Sequence, residues 1–152
     1  MMFENLVKNI KPLGDINPDL CQALREYCYP ILGCCQQVHR EMGPFLNEYL
    51  YQDALEIAFR HAAIPYVREY LFKVHFMNEE LHHTHRVDFF VQDKVFVECK
   101  AVDALGKEQR QQLWNYMRLT GVTLGILYNF APYKDQCERY YLDVSQKTIY
   151  AF

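Results

Sequence analysis

The sequence lacks an apolar run approaching the roughly 20 residues that a membrane-spanning helix needs, so we expect no membrane partner. Its N-terminus lacks a basic region followed by an apolar stretch, which predicts that no secretory signal is present. It also lacks any Cys-x-x-Cys pair, and its six cysteines are not spaced as ligands for an iron–sulfur cluster. We interpret them as reduced thiols in a cytoplasmic protein.

Positive charge is also scarce. The chain has 16 lysines and arginines against 19 acidic residues, which gives a formal net charge of −3. Strong nonspecific binding to nucleic acid usually depends on clustered lysine and arginine. This balance argues against such a binder, unless the carboxylates hold metal and the basic residues gather around a cleft.

What is present is enough apolar material for one folded domain. The chain has 152 residues, of which 51% are hydrophobic and 15% aromatic. A chain of this size buries roughly two-thirds of its unfolded surface around a single core. Residues 1–17 show no clear period, and we interpret them as an N-terminal arm to a single domain of residues 18–152.

The first half of that domain has a helical pattern. Asn17 followed by Pro18 is a typical helix start, and the pattern then continues to Met42. We expect Pro30 to break or kink this helix. A second helix is predicted over residues 46–62, with an apolar stripe formed by Leu50, Ala54, Ile57 and Ala58.

The second half alternates strands with one helix. Strands are predicted over residues 65–76, 81–91, 95–100 and 122–130, with a closing hairpin of residues 138–142 and 148–152. A helix over residues 105–120 would begin at an Asp103 cap and end at Gly121. The order α-α-β-β-β-α-β plus a C-terminal hairpin predicts an α/β domain, a mixed β-sheet flanked by helices. Residues 122–130 should form its central strand.

Residues 86–100 carry the most informative pattern. A three-residue loop between two strands would place Asp88 opposite Glu98, with Cβ atoms roughly 4.5–5.5 Å apart. Alternation would put Lys100 on their face, and Val87 with Phe89 on an apolar core face. Facing carboxylates repel one another, and a hard divalent cation would neutralise them. A solvated face with scattered charge is an equally weighted alternative from spacing alone.

Three histidines, His82, His83 and His85, precede Asp88. Imidazole is a common zinc ligand, but no paired histidine or cysteine completes a set of four at ligand spacing. We therefore favour a polar strand edge beside the cleft over a zinc site.

Asp88 with the later Glu98-x-Lys100 resembles the PD-(D/E)xK nuclease signature, although Val87 stands where the proline of that pattern would be. Residues 31–44 and 46–51 resemble the "GxxExxY" proteins of that superfamily. Glu48 and Tyr51 match, while Phe45 occupies the position of the glycine; we expect its ring to pack on Tyr49 or the nearby core. Residues 112–117 and 121–130 resemble the closing helix and strand of the same family, so the likeness covers roughly residues 30–130.

The resemblance implies a restriction-endonuclease-like core and a site for Mg²⁺ or Mn²⁺. It places the metal at Asp88, Glu98 and the carbonyl of Cys99, with Glu48 as a further carboxylate. Lys100 would orient or help to deprotonate a water. The remaining site residue is Gln112, which would lie near that water or a phosphate. Without the resemblance, Glu48 is equally an acidic residue in a helix first turn, and Gln112 an ordinary surface amide.

We therefore predict a divalent-metal-dependent phosphodiesterase that acts on nucleic acid, with DNA favoured over RNA. One alternative is a nucleic-acid- or protein-binding module that keeps the nuclease fold without turnover. Another is a structural protein whose abundant tyrosines form a homo-oligomer interface.

Overall fold

The computed structural model describes residues 10–152, so the first nine residues of the predicted arm lie outside it. The helices are α1 (Pro18–Met42), α2 (Glu48–His61) and α3 (Lys107–Thr120). The strands are β1 (Lys11–Pro12), β2 (Tyr66–Phe76), β3 (Glu79–Val91), β4 (Val95–Lys100), β5 (Leu124–Asn129), β6 (Gln136–Asp143) and β7 (Thr148–Ala151). None of the helices within residues 10–152 has the length and apolar character to cross a membrane.

The strands form one mixed sheet in the order β1-β7-β6-β5-β4-β3-β2. Strands β4 and β5 are parallel and are connected through α3, whereas β2–β3, β3–β4, β5–β6 and β6–β7 are antiparallel. All six residues of β5 are buried between β4 and β6, as expected for a central strand with both faces covered. The predicted fold class and the C-terminal hairpin are confirmed.

Two hydrophobic cores lie on opposite faces of this sheet. The first packs α1 and α2 against one face, and its largest contributions from α2 are Tyr51, Leu55 and Phe59. The second packs α3 against the other face through Leu113 and Met117. A Cβ at Gly125 of β5 would lie 2.6 Å from the Met117 sulfur, so this glycine lets α3 approach the sheet closely.

Helix α1 begins where the sequence predicts, because the Asn17 side chain accepts a hydrogen bond from the Leu20 amide at 3.1 Å. The expectation that Pro30 breaks the helix is wrong, since α1 continues through it to Met42. A proline inside a helix forfeits one backbone hydrogen bond. Buried side chains on both sides of it, among them Cys28 and Ile31, offset that loss.

The predicted stripe of α2 is correct for Ala54 and Ala58, which pack against the first core, and wrong for Ile57. Tyr51, Leu55 and Phe59 are fully buried, whereas Ile57 is 49% exposed. Aromatic rings bury more area than alanine or isoleucine and so decide which face turns inward. The start is also later than predicted, because Asn47 is extended and the helix begins at Glu48.

The start of α3 differs as well. Gly106, not Asp103, is the N-cap, and its amide donates a hydrogen bond to the Gln109 side chain at 2.8 Å. At the other end, Gly121 adopts the left-handed conformation with φ 78°, as predicted for a C-cap.

Part of the predicted N-terminal arm belongs to the sheet. Strand β1 pairs in parallel with β7 and forms one edge of the sheet, while β2 forms the other. Leu13, which follows it, is only 2% exposed and belongs to the first core.

Tyr51 holds the connection between α1 and α2. Its hydroxyl donates to the Gly43 carbonyl at 2.7 Å and accepts from the Leu46 amide at 3.0 Å. Its ring stacks on Phe130 with centroids 5.0 Å apart. A buried hydroxyl thus satisfies two backbone groups that the ends of helices leave unpaired.

We expect Tyr51→Phe to lower the free energy of unfolding by about 1–3 kcal/mol, because both backbone groups lose their partner while the ring remains. Urea denaturation measures the change. Tyr49→Phe is the matched control, since Tyr49 is 57% exposed, and it should change stability by less than about 0.5 kcal/mol. Equal effects of the two substitutions would contradict this role for Tyr51.

Candidate functional site

The site is built where β3 and β4 separate. The predicted register is confirmed by the pairs Val91–Val95, Phe90–Phe96 and Phe89–Val97. At the next position, hydrogen bonds from backbone amides to the side chains of Asp88 and Glu98 take the place of backbone pairing between the strands. The Asp88 amide donates to Glu98 Oε1 at 3.1 Å, and the Cys99 amide donates to Asp88 Oδ2 at 2.8 Å. Each carboxylate therefore binds a backbone group of the opposite strand.

The alternation of strand β3 changes at Asp88. Phe89 belongs to the first core and Val87 to the second, so the prediction that they share a face is wrong. Strand β2 changes in the same place, since Tyr66 packs on the first core and Tyr70 on the second. Between them Glu69 has a φ of 54°. A residue in the left-handed conformation changes the face to which the following side chains of the strand point. No sequence pattern predicts this conformation at a glutamate.

Burial and like charge act together on the carboxylates. Glu98 is 4% exposed, and burial followed by the charge of Asp88 raises its pKa to about 8. Burial also raises the pKa of Asp88, although the Cys99 amide acts in the opposite direction. The metal-free site therefore favours retaining a proton.

Glu48 extends this acidic group from the first turn of α2. Burial, then the charge of Asp88, raises the pKa of its carboxyl. Gln52, one turn later, donates to Glu48 Oε2 at 3.5 Å and also lowers the pKa of Asp88 by hydrogen bonding. Sequence reasoning missed Gln52. The available signal was its position four residues after Glu48, which puts both on one side of the helix.

Lys100 and Gln112 lie together on the α3 side. The Lys100 ammonium donates to Gln112 Oε1 at 3.1 Å and is 3.9 Å from Glu98 Oε2. Gln112 in turn donates to the Tyr116 hydroxyl at 3.3 Å. Burial, then the charge of Glu98, raises the pKa of Tyr116. Tyr116 is a second neighbour of the site; it lies within residues 112–117, but the sequence analysis assigned it no role.

The three histidines differ in exposure and in their contacts. His82 and His83 are exposed, whereas His85 is half-buried and stacks on Phe72 with centroids 5.5 Å apart. The ring of His85 also lies 6.0 Å from that of Tyr116. Within residues 10–152, no group of three or more histidine, cysteine or acidic side chains is arranged to hold a metal ion.

The residues present nevertheless fit a magnesium-like cation. Asp88 and Glu98 each commit one oxygen to a backbone amide and retain a second. Mg²⁺ is typically held by one or two carboxylates, with waters and substrate phosphate oxygens filling the remaining positions. A cation also favours the ionised form of carboxyl groups whose pKa values burial has raised.

Phe45 differs from expectation. Its ring is 64% exposed, so the expected packing into the core is wrong. The ring instead meets Tyr133 edge to face, with centroids 5.0 Å apart and an interplanar angle of 88°. Its φ is 63°, in the left-handed region that favours glycine.

Comparison with curated proteins and with solved structures found no significant match. A family model described as the PD-(D/E)XK nuclease superfamily matches residues 25–140. That span is more than half of the chain, and it contains Glu48, Asp88, Glu98, Lys100 and Gln112. The chain therefore belongs to the PD-(D/E)XK nuclease superfamily.

Proposed function

We propose that this chain is a divalent-metal-dependent phosphodiesterase that cleaves DNA. The observation that carries the proposal is the buried carboxylate of Glu98 beside the half-buried carboxylate of Asp88, with the Lys100 ammonium 3.9 Å from Glu98 Oε2. Membership of a nuclease superfamily supports the same reaction class. Such a like-charge pair destabilises a fold unless a cation neutralises it, which makes a purely structural role a poor account.

Asp88 and Glu98 would hold Mg²⁺ or Mn²⁺ together with the Cys99 carbonyl, and Glu48 would complete the acidic group. When bound, the cation neutralises charge on the phosphate and makes a coordinated water more acidic. The hydrogen bond to Gln112 fixes the Lys100 ammonium at the edge of this group. From there the Lys100 ammonium would orient the attacking water by a hydrogen bond, and its positive charge would favour loss of that water's proton to solvent.

We also infer that the chain belongs to the "GxxExxY" group of the superfamily. Tyr51 clamps the turn between α1 and α2, and Glu48 opens the helix beside Asp88. Phe45 stands at the position of the motif glycine and has the left-handed backbone that glycine adopts readily. These observations support the assignment although the first residue of the motif differs.

A non-catalytic nucleic-acid- or protein-binding module is the second candidate. The absence of a three-side-chain metal cluster within residues 10–152 favours it, and the net charge of −3 is compatible with a protein partner. Metal-dependent cleavage separates the two functions.

We expect the parent chain to bind Mn²⁺ in calorimetric titration and to cleave DNA only with Mg²⁺ or Mn²⁺. Asp88→Asn and Glu98→Gln should each remove the Mn²⁺ signal and the cleavage, because both take away an anionic oxygen ligand. Glu26→Gln, which changes an exposed carboxylate of α1, is the control and should behave as the parent. Unchanged Mn²⁺ binding in both site variants would refute the assigned metal site.

Lys100→Met should reduce the cleavage rate roughly 10²- to 10³-fold, the range typical for loss of one donor that stabilises charge in the transition state. The affinity for Mn²⁺ should be unchanged or higher, since a nearby positive charge is lost and no ligand is removed. Single-turnover cleavage and Mn²⁺ titration measure the two effects. A rate near that of the parent would show that Lys100 does not act on the water.

The raised pKa of Glu98, about 8, predicts how stability depends on pH without metal. A carboxyl whose pKa is higher in the folded than in the unfolded chain stabilises the fold while protonated. With a chelator present, the free energy of unfolding should therefore fall as the pH rises from near 4.5 to about 8.

Glu98→Gln should reduce this fall, because its amide does not titrate. The variant should match the parent near pH 4.5 and be more stable above pH 8 in urea denaturation. Glu26→Gln should keep the pH profile of the parent. Parallel profiles for Glu98→Gln and the parent would contradict the assigned pKa shift.

A further inference from the structure

Phe45 combines a strained backbone with an uncovered side chain. Its φ of 63° lies in a region that bulky residues rarely adopt, and its ring is 64% exposed. Strain of this kind usually persists where packing repays it or where function requires it. The ring buries little surface, so packing does not account for the residue.

The backbone on both sides of the aromatic contact is fixed. The Phe45 amide donates to the Ala131 carbonyl at 3.0 Å. In the facing loop, His39 Nε2 lies 2.7 Å from the Pro132 carbonyl oxygen, and the Phe130 amide donates to the Lys100 carbonyl at 2.9 Å. The ring of Phe45 is thus held by an ordered turn. A ligand that binds to it would not have to order this backbone first, which favours binding.

The same contacts place Phe45 beside the candidate site. Phe130, whose amide binds the carbonyl of Lys100, precedes the residue that holds Phe45. Glu48, whose pKa responds to Asp88, follows Phe45 by three residues. The aromatic pair of Phe45 and Tyr133 therefore stands at the same end of the sheet as the carboxylates.

The pair has the chemistry of a stacking surface. In this edge-to-face contact the edge of one ring meets one face of the other, which leaves the remaining faces uncovered, and Tyr133 is 80% exposed. A nucleobase offers a flat π-face to such a ring whatever its identity. Lys134, the next residue, is also exposed and adds a positive charge for the phosphate backbone.

We propose that Phe45 and Tyr133 stack an unpaired base of the substrate next to the phosphate that is cleaved. Bases inside a duplex already stack on their neighbours, so the pair selects single-stranded DNA or an unpaired end. The proposal rests on the proposed nuclease function and specifies the substrate of that site.

The test uses a single-stranded oligodeoxynucleotide that contains 2-aminopurine, whose fluorescence is quenched by stacking. Binding is measured with Mg²⁺ in a Lys100→Met background, which keeps the carboxylates and limits cleavage. Adding Phe45→Ala or Phe45→Gly should weaken binding roughly 5- to 150-fold and reduce the quenching. Phe45→Trp should retain both, and Tyr29→Ala, which removes another exposed ring (76%) from α1, should bind as the background does.

Two comparisons separate the ring from the backbone. Phe45→Gly should be more stable than Phe45→Ala in urea, because only glycine relieves the left-handed conformation. Both should nevertheless lose the same binding if the ring is what matters. The preference for the single strand over a duplex of the same sequence should shrink in both.

Binding and quenching that are unchanged in Phe45→Ala and Phe45→Gly would overturn the stacking proposal, even if the parent chain cleaves DNA. Ring-dependent binding by a parent chain that cleaves no substrate would support stacking and contradict the nuclease proposal. A single-stranded oligonucleotide that does not bind at all would overturn the stacking proposal, whereas only the absence of metal-dependent cleavage of both single- and double-stranded DNA would overturn the nuclease proposal.

Discussion

Repulsion between a buried and a half-buried carboxylate is the constraint on which the site depends. Asp88 and Glu98 face each other at the point where β3 and β4 separate, and each accepts a hydrogen bond from a backbone amide of the opposite strand. These bonds keep the side chains in place but do not remove the like charge. Burial adds to the effect, so the pKa of Glu98 lies well above the usual range of a glutamate. The close approach of Asp88 and Glu98 therefore becomes favourable only when the two carboxylates share a proton or a cation.

The sequence predicted the frame around this pair because strand pairing follows simple rules. A three-residue loop between two alternating segments fixes the register, and the register of Phe89 with Val97 is the one expected. The central strand β5 was predictable from a continuous apolar run between a glycine and a polar loop. These features depend on local patterns, which one sequence contains.

Other features depend on contacts between distant residues, and the sequence did not indicate them. The inward face of α2 is set by Tyr51 and Phe59, which fill space under the sheet that helical periodicity does not describe. Helix α1 tolerates Pro30 because neighbouring side chains are buried. The left-handed backbone of Glu69 was likewise outside any motif. Gln52 and Tyr116 lie on the same helices as Glu48 and Gln112, but only the fold shows that they contact these site residues.

The change of face at Asp88 has a consequence for how the protein tolerates mutation. On one side of Asp88 the side chain of Phe89 packs into the first core, and on the other side that of Val87 packs into the second. Residues in or next to α2 and α3 therefore approach the same carboxylates from opposite sides of the sheet. The two cores are otherwise built from separate sets of side chains. A substitution in either core that shifts its helix alters the surroundings of Asp88 and Glu98. Changes in two regions that do not touch each other can therefore affect the same pair of carboxylates.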